Sequence, residues 1–355
     1  MKKLISLVII VLCLGLLAGC VGTPVIYHAD CDCPTGGNNT PTEGSKPAPE
    51  GALKTGLVLV TDITGSTAAT AEKNGEGKYD VTMVAVLVDD NGVIQDCIID
   101  GIAATVKFDN TGKITSDLTA APQTKNELGD KYGMVAWGGA KYEWNVQAKA
   151  LADFAIGKTV AQLKDGAIDA TGKAPAGSDL ASSATIYLGG YVAAIEAAVA
   201  KATHLGAQGG DTLKIAAISD ISGSANSSDK AGNTQLEVNV TAITMKEGVI
   251  TSCVIDSVQA KVAFDKTGKI TSDLTAPVKT KNELGKDYGM VAWGGAKFEW
   301  NQQAASFAQY VTGKTPAQVA GIAVDAGTKP TGTDLNTSVT IAIGGFQTLI
   351  AKAAK

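Results

Sequence analysis

Histidine is nearly missing from this chain: among 355 residues there are only His28 and His204. A histidine-based metal site or a Ser-His-Asp triad in either half is therefore not expected. That scarcity also disfavours a nucleophilic hydrolase, while leaving carboxylate chemistry open. Positive charge is not in excess either. Lys and Arg number 30 against 35 Asp and Glu, for a formal charge of −5. Nucleic acid, which selects a basic face, is disfavoured as a partner. Aromatic residues make up only 5%, so any clustering of them is informative. Cysteine is sparse, at positions 13, 20, 31, 33, 97 and 253. Cys31 and Cys33 are too close for an unstrained bridge. Cys97 and Cys253 lie in apolar runs and read as reduced core thiols. Past the first twenty residues no apolar run is long enough to span a membrane.

What is present begins with a leader. Lys2 and Lys3 precede an apolar stretch from Leu4 to Leu17, and Leu17-Ala18-Gly19-Cys20 follows. A basic start, a short apolar core and small residues at a cut site read as a signal peptide over residues 1–19. Its last four residues resemble the lipobox of bacterial lipoproteins. The resemblance implies that Cys20 is acylated and heads the mature chain, holding it through membrane lipid on the extracytoplasmic face. Residues 20–55 then form a disordered tether. The segments Cys33-Pro34-Thr35-Gly36-Gly37-Asn38-Asn39 and Lys46-Pro47-Ala48-Pro49 bury too little apolar surface to fold.

The remainder is a duplication. Gly92-Val93-Ile94-Gln95-Asp96-Cys97-Ile98-Ile99-Asp100 is matched by Gly248-Val249-Ile250-Thr251-Ser252-Cys253-Val254-Ile255-Asp256, an offset of 253 − 97 = 156. Thr124-Lys125-Asn126-Glu127-Leu128-Gly129 recurs without change as Thr280 to Gly285, and Tyr132 to Lys141 recurs as Tyr288 to Lys297. A period this long marks a repeated domain, not a solenoid. The expected domains are 56–206 and 211–355, separable at the Gly-rich join Ala207-Gln208-Gly209-Gly210. Within each, β-rich runs come first, as in Val81–Val88 and Cys97–Val106, with Asn91-Gly92 as a hairpin turn. Helices come later. Ala140–Ile156 carries Trp144, Ala148, Leu151 and Ala155 on one face, Thr159 caps another helix, and Asp179 opens a long closing helix to about Ala202. The fold class is α+β, two tandem copies of a hairpin-rich sheet packed against C-terminal helices.

All four tryptophans fall in the most closely repeated block, at 137, 144, 293 and 300. Trp144 and Trp300 sit mid-helix and read as plugs into the sheet. Trp137 and Trp293 lie in Trp-Gly-Gly, where stacking on a planar ligand and plain packing are both open. Lys125 with Glu127, and Lys281 with Glu283, read either as anion holders or as solvated helix ends. Asp62 to Thr67 and Asp220 to Ala225 read as polar hairpin loops. The start of the closing helix reads Asp179-Leu180-Ala181-Ser182-Ser183-Ala184-Thr185, and the second copy Asp334-Leu335-Asn336-Thr337-Ser338-Val339-Thr340. Capping explains much of this, and a helix N-terminus with hydroxyls also suits a phosphate.

In order and motif the repeats resemble the FMN-binding domain of bacterial extracellular electron-transfer lipoproteins. That family ends in Asp-x-x-Ser/Thr-Gly-Ala-Ser/Thr, whose last residue carries FMN through a phosphoester placed by a separate transferase. The resemblance makes Thr185 and Thr340 the flavin positions. Asp179 and Asp334 open the motif, Ser182 and Thr337 fill its Ser/Thr place, and Trp137 and Trp293 are candidate ring partners. The family's Gly is Ser183 and Ser338 here, and its Ala is Val339 in the second copy, which weakens the match. The implied function is a surface-anchored flavin-binding electron carrier with redox partners at the cell surface, more a carrier than an enzyme. The alternative is a cofactor-free lipoprotein that captures a solute or forms an adhesive surface.

Overall fold

The computed structural model describes residues 51–332 and 334–355. The leader, Cys20, and the tether up to residue 50 lie outside them. The first repeat opens with three antiparallel strands, β1 (Ala52–Asp62), β2 (Gly75–Val88) and β3 (Ile94–Phe108). Helices follow: α1 (Lys125–Leu128), α2 (Trp144–Ala155), α3 (Val160–Ala167), α4 (Asp179–Ser183) and α5 (Gly189–Lys201). A connecting strand β4 (Thr203–Gln208) leads to β5 (Thr212–Asp220), β6 (Gly232–Lys246) and β7 (Val249–Phe264). The second set of helices is α6 (Lys281–Leu284), α7 (Trp300–Val311), α8 (Pro316–Ala320) and α9 (Gly344–Ala353). The class is α+β. None of the described helices is long and apolar enough to cross a membrane.

The two sheets run β3-β2-β1-β4 and β5-β6-β7. Their strands need apolar side chains on both faces, which is why β2 reads Val-Thr-Met-Val-Ala-Val-Leu-Val with almost no exposed position after Val81. On one face Leu59, Val81, Met83 and Ala85 meet Leu236, Val238, Val240 and Val258 of the other repeat in one buried cluster. On the opposite face Val84, Val86 and Ile99 pack under Trp144, Leu151, Ile195 and Ala198. The second repeat does the same with Ile243, Ile255, Trp300, Phe307 and Ile350. The order of layers is helices, sheet, sheet, helices.

Contacts between the repeats are reciprocal. Phe108 and Phe264, equivalent residues, stack with ring centroids 4.0 Å apart and planes 2° from parallel. The Ala69 amide donates to the Gly268 carbonyl and the Ser227 amide to the Gly112 carbonyl. Lys201 pairs with Glu283, and Lys352 with Glu127. β4 runs from the end of the first repeat into the join and pairs with β1, and Thr55 shares a hydroxyl hydrogen bond of 2.8 Å with Ser252. The described residues form one compact unit. The boundaries at 206 and 211 thus separate two halves of a shared core, and the join between them is the end of β4 followed by a turn at Gly209-Gly210.

Two hairpins at matching positions turn differently. In the second repeat Glu247 and Gly248, both at positive φ (50° and 79°), close a two-residue loop. In the first repeat only Gly92 is at positive φ (76°). Asp89 organises that longer turn, its carboxylate accepting from the Asn91 and Val93 amides. The same register shift lies beside Val88 and beside Met245, so the added residue is taken up in the turn itself.

The closing helix differs most from its expected form. Asp179–Ser183 is a separate five-residue helix, and α5 begins only at Gly189. In the second copy residues 334–338 form turns without a helix. α2 also starts later than Ala140, which puts Trp144 in its first turn and not mid-helix.

Truncating Phe108 to Ala removes half of the inter-repeat ring stack and should cost about 3–5 kcal/mol in urea unfolding, lowering one transition common to both repeats. A fragment beginning at Asp211 should lack a cooperative melt, because the inner face of β5–β7 is then uncovered. A fragment with its own sharp transition would contradict the shared core.

Candidate functional site

The residues repeated most closely are mostly framework. Thr124 and Glu127 form a capping box around α1, and Thr280 and Glu283 do so around α6. Asp100 accepts from the amides of Gly101 (2.7 Å) and Asn126 (3.0 Å), while the Asn126 side-chain amide donates to the Ile99 carbonyl (3.0 Å). Asp256 and Asn282 repeat this arrangement. Glu143 caps the amides of Met134 and Val135, and Glu299 those of Met290 and Val291. These carboxylates therefore lock a short helix and a loop onto each sheet.

Lys125 and Lys281 are neither solvated nor open to an outside anion, contrary to both sequence expectations. Lys125 is 3% exposed and pairs with Asp80 at 3.1 Å. Its ammonium lies 5.0 Å from the Trp144 ring and 5.5 Å from Tyr132. Lys281 pairs with Glu237 at 2.7 Å, 5.1 Å from Trp300 and 5.2 Å from Tyr288. Burial opposes the Lys125 charge, but Asp80 favours it, and its pKa lies above the ordinary value. Trp144 and Trp300 are buried, as the plug reading required. Burial also pushes the Cys253 thiol up to about 12 and raises that of Cys97, so both are protonated core residues.

The two threonines singled out by the motif occupy matching sites. The Thr185 amide (2.8 Å), its hydroxyl (3.1 Å) and the Ile186 amide (3.1 Å) all donate to Oε1 of Gln147. Thr340 and Ile341 do the same to Gln303 at 2.8, 3.2 and 3.1 Å. Both glutamines are fully buried and both threonines exposed. The glutamines are anchored in turn by donating to the carbonyls of Tyr142 and Phe298. Each threonine is thus held rigidly at the surface by an amide that sequence reading passed over. Its signal was a glutamine recurring at the 156-residue offset on the apolar face of α2 and α7.

The rest of the motif is arranged differently from expectation. Thr185 lies in the segment between α4 and α5, not at the start of the closing helix. The start of α4 is capped by Ser178, whose hydroxyl accepts from the Ala181 amide. Ser182 donates to the Asp179 carbonyl, and Thr337 to that of Asp334. Positive charge comes instead from Lys141, whose ammonium is 3.2 Å from the Ser182 carbonyl, and from Lys297, 3.5 Å from that of Thr337. Trp137 and Trp293 sit on the same loops as these lysines, 83% and 82% exposed. Gly133 and Gly289, both at positive φ, leave room for each indole, since an added Cβ would overlap it. Among the described residues no group of His, Cys, Asp and Glu is placed to hold a metal ion.

No family model, curated protein or solved structure matches the chain.

Asp256 carries a pH signature. Burial raises its pKa from 3.8 to about 6. A carboxylic acid with a raised folded pKa stabilises the fold below its unfolded pKa, and that contribution is lost as pH rises through the folded value. Asp256→Asn keeps a carbonyl oxygen for the Ser257 and Asn282 amides without the charge. Relative to wild type, the variant should gain roughly 2–3 kcal/mol in urea unfolding between about pH 4 and about pH 7. A difference that stays constant across that range would rule out this titration.

Proposed function

We propose that the protein is a lipid-anchored extracytoplasmic flavin carrier, with FMN at Thr185 and Thr340 relaying electrons to partners at the cell surface. The observation that carries the reading is the pinned threonine. It is present twice with matching geometry, although Ser-Ala-Thr in one copy is Ser-Val-Thr in the other. A phosphoester on Thr185 would remove one donor from Gln147, which keeps the amides of Thr185 and Ile186. Lys141 and Lys297 supply positive charge at the Ser182 and Thr337 carbonyls, three residues before each threonine, suited to a phosphate. The exposed indoles of Trp137 and Trp293, on the same loops, offer a surface for an aromatic ring. Bound FMN would supply one- and two-electron transfer. The anchoring half of the proposal rests on the lipobox at Cys20, outside the described residues.

A cofactor-free binding or adhesive surface is the competing reading, and the exposure of Trp137 and Trp293 is the observation that favours it. Intact-mass measurement on protein purified from its own host, with a visible spectrum, separates the two. The carrier reading predicts acyl mass on Cys20, a yellow protein and one flavin-phosphate mass per occupied threonine. Thr185→Ala should remove one flavin mass and leave the acyl mass in place. If FMN is held without a covalent bond, the mass is unchanged and added FMN quenches tryptophan fluorescence saturably. Protein that is colourless, carries no flavin mass and does not respond to added FMN sinks the carrier reading.

A further inference from the structure

We infer a second site, in the first repeat only, that takes an organic ammonium ion. A cleft of about 380 Å³ opens between the end of β1, the middle of β2 and the first turn of α5. Trp144, Tyr187 and Tyr191 contribute rings to its wall, and Asp62 and Asp80 contribute carboxylates. Two of the large apolar side chains left exposed on this protein, Val60 at 49% and Tyr187 at 59%, line this one cleft. Apolar surface, aromatic faces and carboxylates together are what a cation with an apolar body requires.

The wall is built, not incidental. Tyr187 is exposed yet its ring lies against Gly172 and Gly189, where an added Cβ at either glycine would overlap it. Gly172 is at φ +75°. The second repeat changes these positions together: Tyr187 becomes Ala342, and Gly172 becomes Thr328, a β-branched residue at φ 58° whose side chain lies against Gly344. Tyr191 becomes Phe346 and Val60 becomes Ile218. The ring and the glycine that admits it therefore occur only in the first copy. Tyr191 is fixed as well, its hydroxyl accepting from the Trp144 indole at 2.9 Å, with the two rings edge to face.

Charge points the same way. Lys125 neutralises one of the two carboxylates through its ion pair with Asp80, which leaves the cleft one negative charge. The Asp62 carboxylate accepts from the Thr64 amide at 2.7 Å, so it is oriented. An anion such as a phosphate is disfavoured in this cleft, which separates the site from the flavin reading and makes it independent of that reading.

Choline is a suitable probe, and 3,3-dimethyl-1-butanol is its neutral counterpart of like shape. Titration of the full chain with each, followed by the indole N–H resonance of Trp144 and by calorimetry, tests the site. Choline should bind saturably and at least tenfold more tightly than the neutral alcohol. Tyr187→Ala and Asp62→Asn should each weaken it about fivefold or more, the second while keeping an acceptor for the Thr64 amide. Both positions are exposed, so neither variant should disturb folding, which circular dichroism checks. Absence of saturable choline binding overturns the proposal. So does equal binding of the neutral alcohol, or wild-type affinity in both folded variants.

Discussion

The inner faces of the two sheets have each other as their apolar cover, and everything else is arranged around that contact. A three-stranded sheet with Val, Leu and Ile on both faces exposes one face however its own helices pack. Here that face is closed by the matching face of the second copy, with Phe108 on Phe264 at one end and Thr55 beside Ser252 at the other. The duplication is thus a structural requirement of this fold. Burial at roughly 25 cal/mol per Å² of apolar surface makes such a face costly to leave in water. The reciprocal lysine–glutamate pairs near the periphery are partly exposed and add little by comparison.

Placing the sheets back to back puts both helical layers outside, and with them every feature that could meet a ligand. The outer layers are held by buried polar groups with definite partners. Asp100 and Asp256 dock the short helices, Glu143 and Glu299 shape the tryptophan loops, and Gln147 and Gln303 pin Thr185 and Thr340. Since each group is satisfied by more than one donor, Thr185 and Thr340 keep the same hydrogen bonds in both copies although Ala184 becomes Val339. The two copies diverge where side chains face solvent, at Tyr187 against Ala342 and Gly172 against Thr328. One framework therefore presents two matching threonines and one unmatched aromatic cleft.

Much of this was legible in the sequence. The 156-residue offset showed the duplication, the apolar spacing of Trp144, Ala148, Leu151 and Ala155 showed the helix face, and Thr159 marked a cap that forms as expected. The closing helix was misjudged because apolar periodicity continues from Leu180 to Ala198 while the backbone breaks between Ser183 and Gly189. No proline marks the break. What holds that segment out of a helix is Gln147, distant in sequence. The buried lysines were misjudged for a related reason: Asp80 and the rings that accept Lys125 lie on other elements. The shared core was invisible locally, since a strand buried against a second copy has the same composition as one buried against its own helices.

The shared core is the claim on which the rest stands, and native-state hydrogen exchange tests it most directly. Amides of Val84 on β2 and Ala242 on β6 sit at the centres of the two sheets. If the repeats share one core, both should exchange through the same global opening. Their opening free energies should then agree and fall together as urea is added. If the Val84 amide exchanges through an opening that leaves Ala242 protected, or the reverse, the repeats unfold separately and the account is contradicted.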